Sequence, residues 1–257
     1  MLELQNLSRS YRGIPAIRNV SFRVDAGEIV GYLGANGSGK STTVKIITGL
    51  LQPNDGRVLF DGRNIRDDLM SFRAALGYVP EEAHVYTYMS GLEYLQLTGR
   101  LRGMRERLIR VKANTLLELL GLDSWRHSPI FLYSKGMKQR VLIAAALMHD
   151  PRLLIFDEPL SGLDVVSSRL FKDLLQELAA DGKAILYISH ILEVVEHICN
   201  RVIVIARGKI LADAPPSELT ALTKLTNLES AFAQLVQQQD TQSVARQLVE
   251  IMKVTNA

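Results

Sequence analysis

Apolar residues recur along this chain in two rhythms. Glu28 to Leu33 (EIVGYL) and Leu153 to Phe156 are short, nearly unbroken apolar runs, and Ala184 to Ser189 repeats the pattern. Runs of this kind suit strands of a sheet that is covered on both faces. Helical patterns alternate with them. Lys40 to Leu51 reads as a helix stopped by Pro53. Ser168 to Ala180 carries the pairs Leu170/Phe171, Leu174/Leu175 and Leu178/Ala179 at helical spacing, with Gly182 as its stop. Strands and helices in alternation predict an α/β fold with a largely parallel sheet. Arg201 to Ala206, the turn Arg207-Gly208-Lys209 and Ile210 to Ala212 predict a hairpin.

Two regions break the alternation. Residues ~84 to ~136 lack a convincing strand and read as a helical lobe inserted into the core. Within them, Arg100 to Lys112 holds six basic residues, with Leu101, Met104, Leu108 and Val111 on one helical arc. A nucleic-acid or lipid-headgroup patch is one reading, and the pattern favours the other, a solvated amphipathic helix. After Pro215-Pro216 the chain becomes Gln-rich and helical in pattern, with a face at Val244, Leu248 and Met252. The expected organisation is a main domain over residues 1–215 and a C-terminal helical appendage over 216–257.

Composition narrows the partners. The 257 residues are 47% hydrophobic, enough for a sizeable core. Thirty basic and 27 acidic side chains nearly cancel, so no nucleic-acid partner is expected. Cys199, the single cysteine, excludes an intrachain disulfide and reads as buried filler. Glu3 interrupts the start, so no secretory leader is expected there. The longest wholly apolar run, Val141 to Met148, falls far short of the ~20 residues that cross a bilayer. Any pore would have to come from another chain.

Two stretches carry chemistry. Gly34-Ala35-Asn36-Gly37-Ser38-Gly39-Lys40-Ser41 fits the phosphate-binding pattern G-x-x-x-x-G-K-[ST]. Its glycines let successive N–H groups turn toward phosphate oxygens, and a helix beginning near Lys40 adds the positive end of its dipole. Lys40 can reach the terminal phosphates, and the Ser41 hydroxyl can take a Mg²⁺ position. Leu153 to Pro159 is an apolar strand ending in two acids. There Asp157 is placed to hold Mg²⁺, and Glu158 is the candidate general base for an attacking water.

From here the chain resembles the ABC (ATP-binding cassette) ATPases over roughly residues 2–215. Tyr133-Ser134-Lys135-Gly136-Met137-Lys138-Gln139-Arg140, ahead of an apolar helix, is similar to the family's signature motif, usually LSGGQ. Asp157-Glu158, then Ser161-Gly162-Leu163-Asp164, then His190 after a strand follow in the family's order. The resemblance implies a P-loop NTPase core of ABC type, with an antiparallel β subdomain and the inserted helical lobe. It implies ATP and Mg²⁺ as cofactors. Tyr11 would stack on adenine, and Gly34 to Thr42 would hold the phosphates. Ser134 and the Gly136 N–H would contact the γ-phosphate of ATP on a second protomer. Asp164 would couple the two sites, and His190 would contact the γ-phosphate and the attacking water. Taken singly, Tyr11 reads as a packing aromatic, His190 as a satisfied strand-end histidine and SGLD as an ordinary turn.

Three departures stand out. Lys135 replaces the first glycine after the signature serine, and Met137 replaces the glutamine. Gly77-Tyr78-Val79-Pro80-Glu81 resembles the loop joining core to lobe, but Glu81 stands where that loop normally has glutamine. A carboxylate there can ligate Mg²⁺. This form resembles ATPase subunits of exporters whose membrane domains are separate chains. It implies an integral membrane transporter subunit and a second ATP-binding protomer as partners, at the cytoplasmic face of the membrane as a peripheral subunit. The competing readings are a soluble ABC ATPase in a non-transport process and a non-hydrolysing regulator. A GTPase lacks support, because no N-K-x-D motif is present.

Overall fold

The structure is a computed structural model, and it describes residues 1–223. The chain opens with an antiparallel pair, β1 (Leu2–Tyr11) and β2 (Ile14–Val24), followed by β3 (Ile29–Leu33) and α1 (Lys40–Ile47). Strands β4 (Asp55–Phe60) and β5 (Arg63–Asn64), helix α2 (Leu69–Ala74) and strand β6 (Leu76–Val79) come next. Then α3 (Gly91–Leu101), α4 (Glu106–Leu119) and α5 (Lys135–Leu147) run without an intervening strand. Strand β7 (Leu153–Asp157), α6 (Val165–Ala180), β8 (Ala184–Ile188) and α7 (Leu192–Ile198) restore the alternation. The hairpin β9 (Arg201–Ala206) and β10 (Lys209–Ala214) leads to α8 (Pro216–Thr223).

These strands make two sheets. The larger has the order β10-β9-β3-β8-β7-β6 and is parallel except at β10. The smaller, β2-β1-β4-β5, is antiparallel. The unbroken apolar strands have the expected cause. In β7, Leu153 and Ile155 point into a core shared with the antiparallel sheet, while Leu154 and Phe156 point into a core under α5, α6 and α7. β8 alternates the same way, with Leu186 on one side and Ile185 and Tyr187 on the other. Both faces are dry, so neither face tolerates polar residues.

Helix α5 belongs to two cores at once. Leu142, Ile143 and Ala146 pack on the sheet, whereas Val141, Ala144 and Ala145 pack with Leu95, Ile109 and Leu117 of α3 and α4. That explains why Val141 to Met148 is apolar all round. Cys199 is buried beneath β3, where a Cβ on Gly31 would lie 2.7 Å from Val195 Cγ1 and 3.1 Å from Cys199 Sγ. Burial pushes its thiol pKa up, away from reactivity.

Two expectations need correction. The first helix stops at Ile47, ahead of Pro53. Gly49 takes φ +70°, and the Leu50 N–H donates back to the Lys45 carbonyl at 2.9 Å, a glycine-terminated helix end. The basic stretch is not one continuous amphipathic helix. It breaks at Gly103, φ +69°, and Leu101, Leu108 and Val111 are exposed. Ile109, Ala113 and Leu117 are the buried face of α4 instead. The turn between α3 and α4 resets the helical phase, which an uninterrupted wheel cannot register. Among the described residues no helix is long and apolar enough to cross a membrane.

Candidate functional site

Four parallel strands deliver their carboxyl ends to one edge. Register aligns Asp157 with Ile188, Ile188 with Tyr32, and Val79 with Phe156. The residues that follow are therefore neighbours: Gly34 after β3, Glu81 after β6, Glu158 after β7, and Ser189 and His190 after β8. This is where open α/β sheets bind ligands. A cavity of about 740 Å³ opens there, a volume that suits a nucleotide. Gly34 to Gly37, Gly39 to Thr42, Glu81, Asp157, Glu158 and His190 all line it.

The glycine loop is held from both sides. A Cβ on Gly34 would lie 2.3 Å from Ser38 Oγ and 2.5 Å from the Ile205 carbonyl. Gly39, φ +114°, caps α1 and leaves 2.9 Å between a hypothetical Cβ and the Ala16 carbonyl. The Gly208 N–H donates to the Ser38 carbonyl at 2.9 Å. Strand β2 and the β9–β10 turn thus clamp a loop that only glycine can thread. Ser38 is buried behind it, and its hydroxyl has no partner among the described residues.

Charge in the cavity is unbalanced. The Asp157 carboxyl is raised to about 6, by burial first and then by Glu81 and Glu158, with Lys40 opposing. The Lys40 ammonium donates to the Gly34 carbonyl at 2.6 Å and to that of Ala35 at 3.2 Å. Burial lowers its pKa, while Glu158, Asp157 and Glu81 raise it. Three carboxylates facing one lysine form a place for added positive charge. No cluster of three His, Cys, Asp or Glu among the described residues could hold a metal ion unaided.

Glu158 is held off the ordinary backbone. Its φ is +48°, a left-handed value that costs a non-glycine residue of order 1–3 kcal/mol. Its N–H donates to the Ile188 carbonyl at 2.9 Å. Its Oε1 meets His190 Nδ1 at 2.7 Å, and Ser189 Oγ donates to its Oε2 at 3.3 Å. Glu158 is largely buried, whereas the His190 ring is exposed.

The remaining predicted residues do not line this cavity. Tyr11 is 44% exposed at the end of β1, and Arg9 lies over its ring at 5.3 Å. Ser134 caps α5, accepting from the Met137 N–H at 3.2 Å. A Cβ on Gly136 would fall 2.3 Å from the Gly162 carbonyl, so signature and SGLD loop touch within one chain. Lys135 Nζ donates to Ser161 Oγ at 2.7 Å across the same contact. Asp164 caps α6 by accepting from the Ser167 N–H at 2.8 Å and Oγ at 2.9 Å, bonds that lower its pKa.

Sequence reasoning missed Ala16, Leu33, Ser189 and Leu192, which also line the cavity. Ser189 had a signal, since it ends the β8 run directly before His190. Ala16 had none, because only the packing of β2 on the loop brings it there.

Comparison with known proteins agrees with this geometry. The family profile described as ABC transporter matches residues 17–161. The ABC transporter ATP-binding protein NatA of Bacillus subtilis is 36% identical over 216 residues, 82% of this chain and 88% of the relative. The linearmycin resistance ATP-binding protein LnrL of the same organism is 34% identical over 219 residues, 85% of this chain and 70% of the relative. A solved ATP-binding subunit of an ABC transporter superposes with TM-score 0.86 at 32% identity, covering 91% of this chain and 99% of its own. A dimeric ATP-binding cassette in a post-hydrolysis state, bound to ADP and Pi, gives TM-score 0.78 at 28% identity over 84% of this chain and 98% of its own. With its glycine loop, paired strand-end acids and signature helix on this fold, the chain belongs to the ABC transporter family as an ATP-binding, ATP-hydrolysing subunit.

Proposed function

We propose that two copies of this cassette close on ATP and thereby drive an integral membrane transporter subunit from the cytoplasmic face of the membrane. One observation carries the reading. Lys40, Glu158 and His190 share a cavity, whereas Ser134 and Gly136 lie outside it at the α5 N-terminus. Residues suited to the same phosphate sit at separate places, so a complete site needs two chains. The solved relative in its post-hydrolysis state is dimeric, which supports the same arrangement. ATP then favours closure by binding the closed pair more tightly than the open chain.

Within each site the glycine loop from Gly34 to Thr42 cradles the phosphates, and Tyr11 offers a π-face to the adenine. Ser41 and Asp157 would hold Mg²⁺, with Glu81 as a further oxygen ligand. All three line the cavity, and the Asp157 carboxyl, raised by burial first and then by Glu81 and Glu158, is one that a bound cation would keep ionised. Bound there, Mg²⁺ would neutralise charge on the transferring phosphoryl group. Glu158 directs and deprotonates the attacking water. His190 orients Glu158 through their 2.7 Å contact and reaches the γ-phosphate. Asp164, at the head of α6, relays between the two sites.

The assignment extends to organisation and partner. Residues 1–215 act as the cassette, and residues 216–257 as an appendage dispensable for chemistry; of these, 224–257 lie outside the described residues, including the face at Val244, Leu248 and Met252. Exposed Tyr86, Tyr88 and Phe131 flank the chain leading from Glu81 into the helices and offer an apolar surface to the membrane subunit. The linearmycin resistance relative favours export as the direction. The test is phosphate release by the purified chain with and without Mg²⁺, alongside size analysis of a Glu158→Gln variant with and without ATP. Mg²⁺-dependent release and an ATP-dependent dimer are expected. A variant that binds ATP yet stays monomeric would exclude closure of two copies.

A further inference from the structure

Lys135 occupies a position where the family's signature has glycine, and its side chain is engaged. The stem lies against the SGLD loop, where a Cβ on Gly162 would meet Lys135 Cγ at 2.8 Å. The ammonium donates to Ser161 Oγ at 2.7 Å. Ser161 is in turn tied to the backbone of the candidate base, since its N–H donates to the Glu158 carbonyl at 3.1 Å. A three-residue step therefore separates the Lys135 contact from Glu158. A glycine at position 135 could make no side-chain link to Ser161.

Lys135 also stands at the wrong end of its helix. The first turn of α5 holds no acid, and both Lys135 and Lys138 oppose the positive end of the dipole. Lys135 is exposed, so its hydroxyl partner competes poorly with a phosphate oxygen, which forms charge-assisted bonds about twice as strong.

We infer that Lys135 is a positioning residue that links the two ATP sites: it exchanges Ser161 of its own chain for the γ-phosphate held by the partner. The inference rests on the composite-site reading above. With Ser161 as its acceptor, Lys135 pins the SGLD loop to α5. When closure offers phosphate, Lys135 leaves Ser161, and Ser161 and the Glu158 backbone bonded to it are no longer tied to the Lys135 side chain. Occupancy of one site thus alters the base in the other.

Steady-state hydrolysis against ATP concentration tests this with Lys135→Met, Lys135→Arg, Ser161→Ala and the double variant Lys135→Met/Ser161→Ala. The unaltered chain and Lys135→Arg are expected to show a Hill coefficient above one. Lys135→Met and Ser161→Ala are each expected to lower it toward the value that two-site closure alone gives. In a Glu158→Gln background, Lys135→Met should need about threefold to tenfold more ATP for association, having lost a phosphate contact, whereas Ser161→Ala should not. The double variant should match Lys135→Met, because both changes break the same bond. A coefficient of one in the unaltered chain overturns the inference, as does an unchanged coefficient in both single variants or effects that multiply in the double. If Glu158→Gln itself fails to associate with ATP, the composite-site reading falls and this inference falls with it. Unchanged coefficients in variants that still associate sink the inference alone.

Discussion

His190 Nδ1 and Glu158 Oε1 stand 2.7 Å apart although the residues come from different strand ends. The sheet sets that distance. Asp157 pairs with Ile188 in the β7–β8 ladder, so Glu158 and Ser189-His190 leave the sheet side by side. The positive φ of Glu158 then turns its side chain back toward the ring. Glu158→Gln keeps an oxygen for His190 but cannot take a proton. Its hydrolysis is expected to fall by about 10²–10⁴-fold, as for loss of a general base, with ATP affinity nearly unchanged. His190→Ala should lose less, and the double variant should lose less than the product of the two single losses, since His190 acts in part through that base. Losses that multiply in the double variant would separate the two residues.

A second titratable group lies away from the cavity and predicts acid sensitivity. The His149 imidazole is pushed down to about 4 by burial, then by Arg102 and Lys112, against the opposing influence of the Leu76 carbonyl and Asp150. Its Nε2 meets that carbonyl at 3.0 Å, and its Nδ1 is buried with no partner among the described residues. In the unfolded chain it protonates near 6.5. The unfolded state therefore binds more protons between pH ~4 and ~6.5, so stability rises with pH across that window and falls as pH drops. The full effect is roughly 2–3 kcal/mol. His149→Gln can still donate to Leu76 and should lose this slope. Urea unfolding of both proteins at pH 7 and pH 4.5 measures it, and parallel losses would exclude His149 as the cause.

Much of this was legible in the sequence, for reasons that differ by residue. β3, β7 and β8 are apolar on both faces, so they announce themselves as strands, and the acids Asp157 and Glu158 mark where β7 leaves the sheet. Lys40 could be proposed from the glycine loop, and Asp157 and Glu158 from the acids that end an apolar run, whereas His190 entered only through the resemblance to ABC ATPases. The antiparallel sheet was harder. β1 and β2 carry register shifts and left-handed residues at Asn6 and Asn19, which interrupt the alternation that would have revealed them. Leu101, Leu108 and Val111 misled because helical phase cannot be followed across Gly103. Ala16 and the Lys135–Ser161 contact depend on tertiary packing and have no local trace.

Gly136 tests the contact between signature and SGLD loop. A methyl there would come within 2.3 Å of the Gly162 carbonyl, a backbone atom that cannot swing aside. Gly136→Ala should displace the loop from α5 and, on the composite-site reading, spoil the surface offered to the partner's ATP. Hydrolysis is expected to fall by about 10²-fold, the effect of a displacement near 1 Å in a reacting site. ATP binding to the single chain should be unaffected, because Gly136 does not line the cavity. Calorimetric titration and phosphate release distinguish the two, and full activity in a folded variant would show that the loop adjusts without consequence.

Complementation between damaged chains examines the composite sites directly. Take one preparation with Lys40→Ala and another with Ser134→Arg, each also carrying Glu158→Gln so that association can be read without turnover. Lys40 belongs to the glycine loop and Ser134 caps α5, outside the cavity that Lys40 lines. If ATP lies between Lys40 of one chain and Ser134 of the other, each homodimer has two damaged sites. A mixed dimer gathers both lesions into one site and leaves the second whole. Arginine at 134 is chosen because its bulk blocks the γ-phosphate, whereas alanine leaves room for it. ATP-dependent association of the mixture should exceed that of either preparation alone, measured by light scattering at matched total concentration. If each site lay within one chain, mixing would pair two defective sites and restore nothing. A mixture that stays monomeric, while the Glu158→Gln parent dimerises, means that one intact site cannot hold the pair or that Ser134 is not supplied across the interface. Linking two chains covalently resolves these outcomes. With both lesions in one chain of the pair, each composite site carries one lesion; with the lesions divided between chains, one site is intact. ATP-driven closure of the divided arrangement alone would assign Ser134 to the partner's nucleotide, and closure only of the arrangement with both lesions in one chain would deny it.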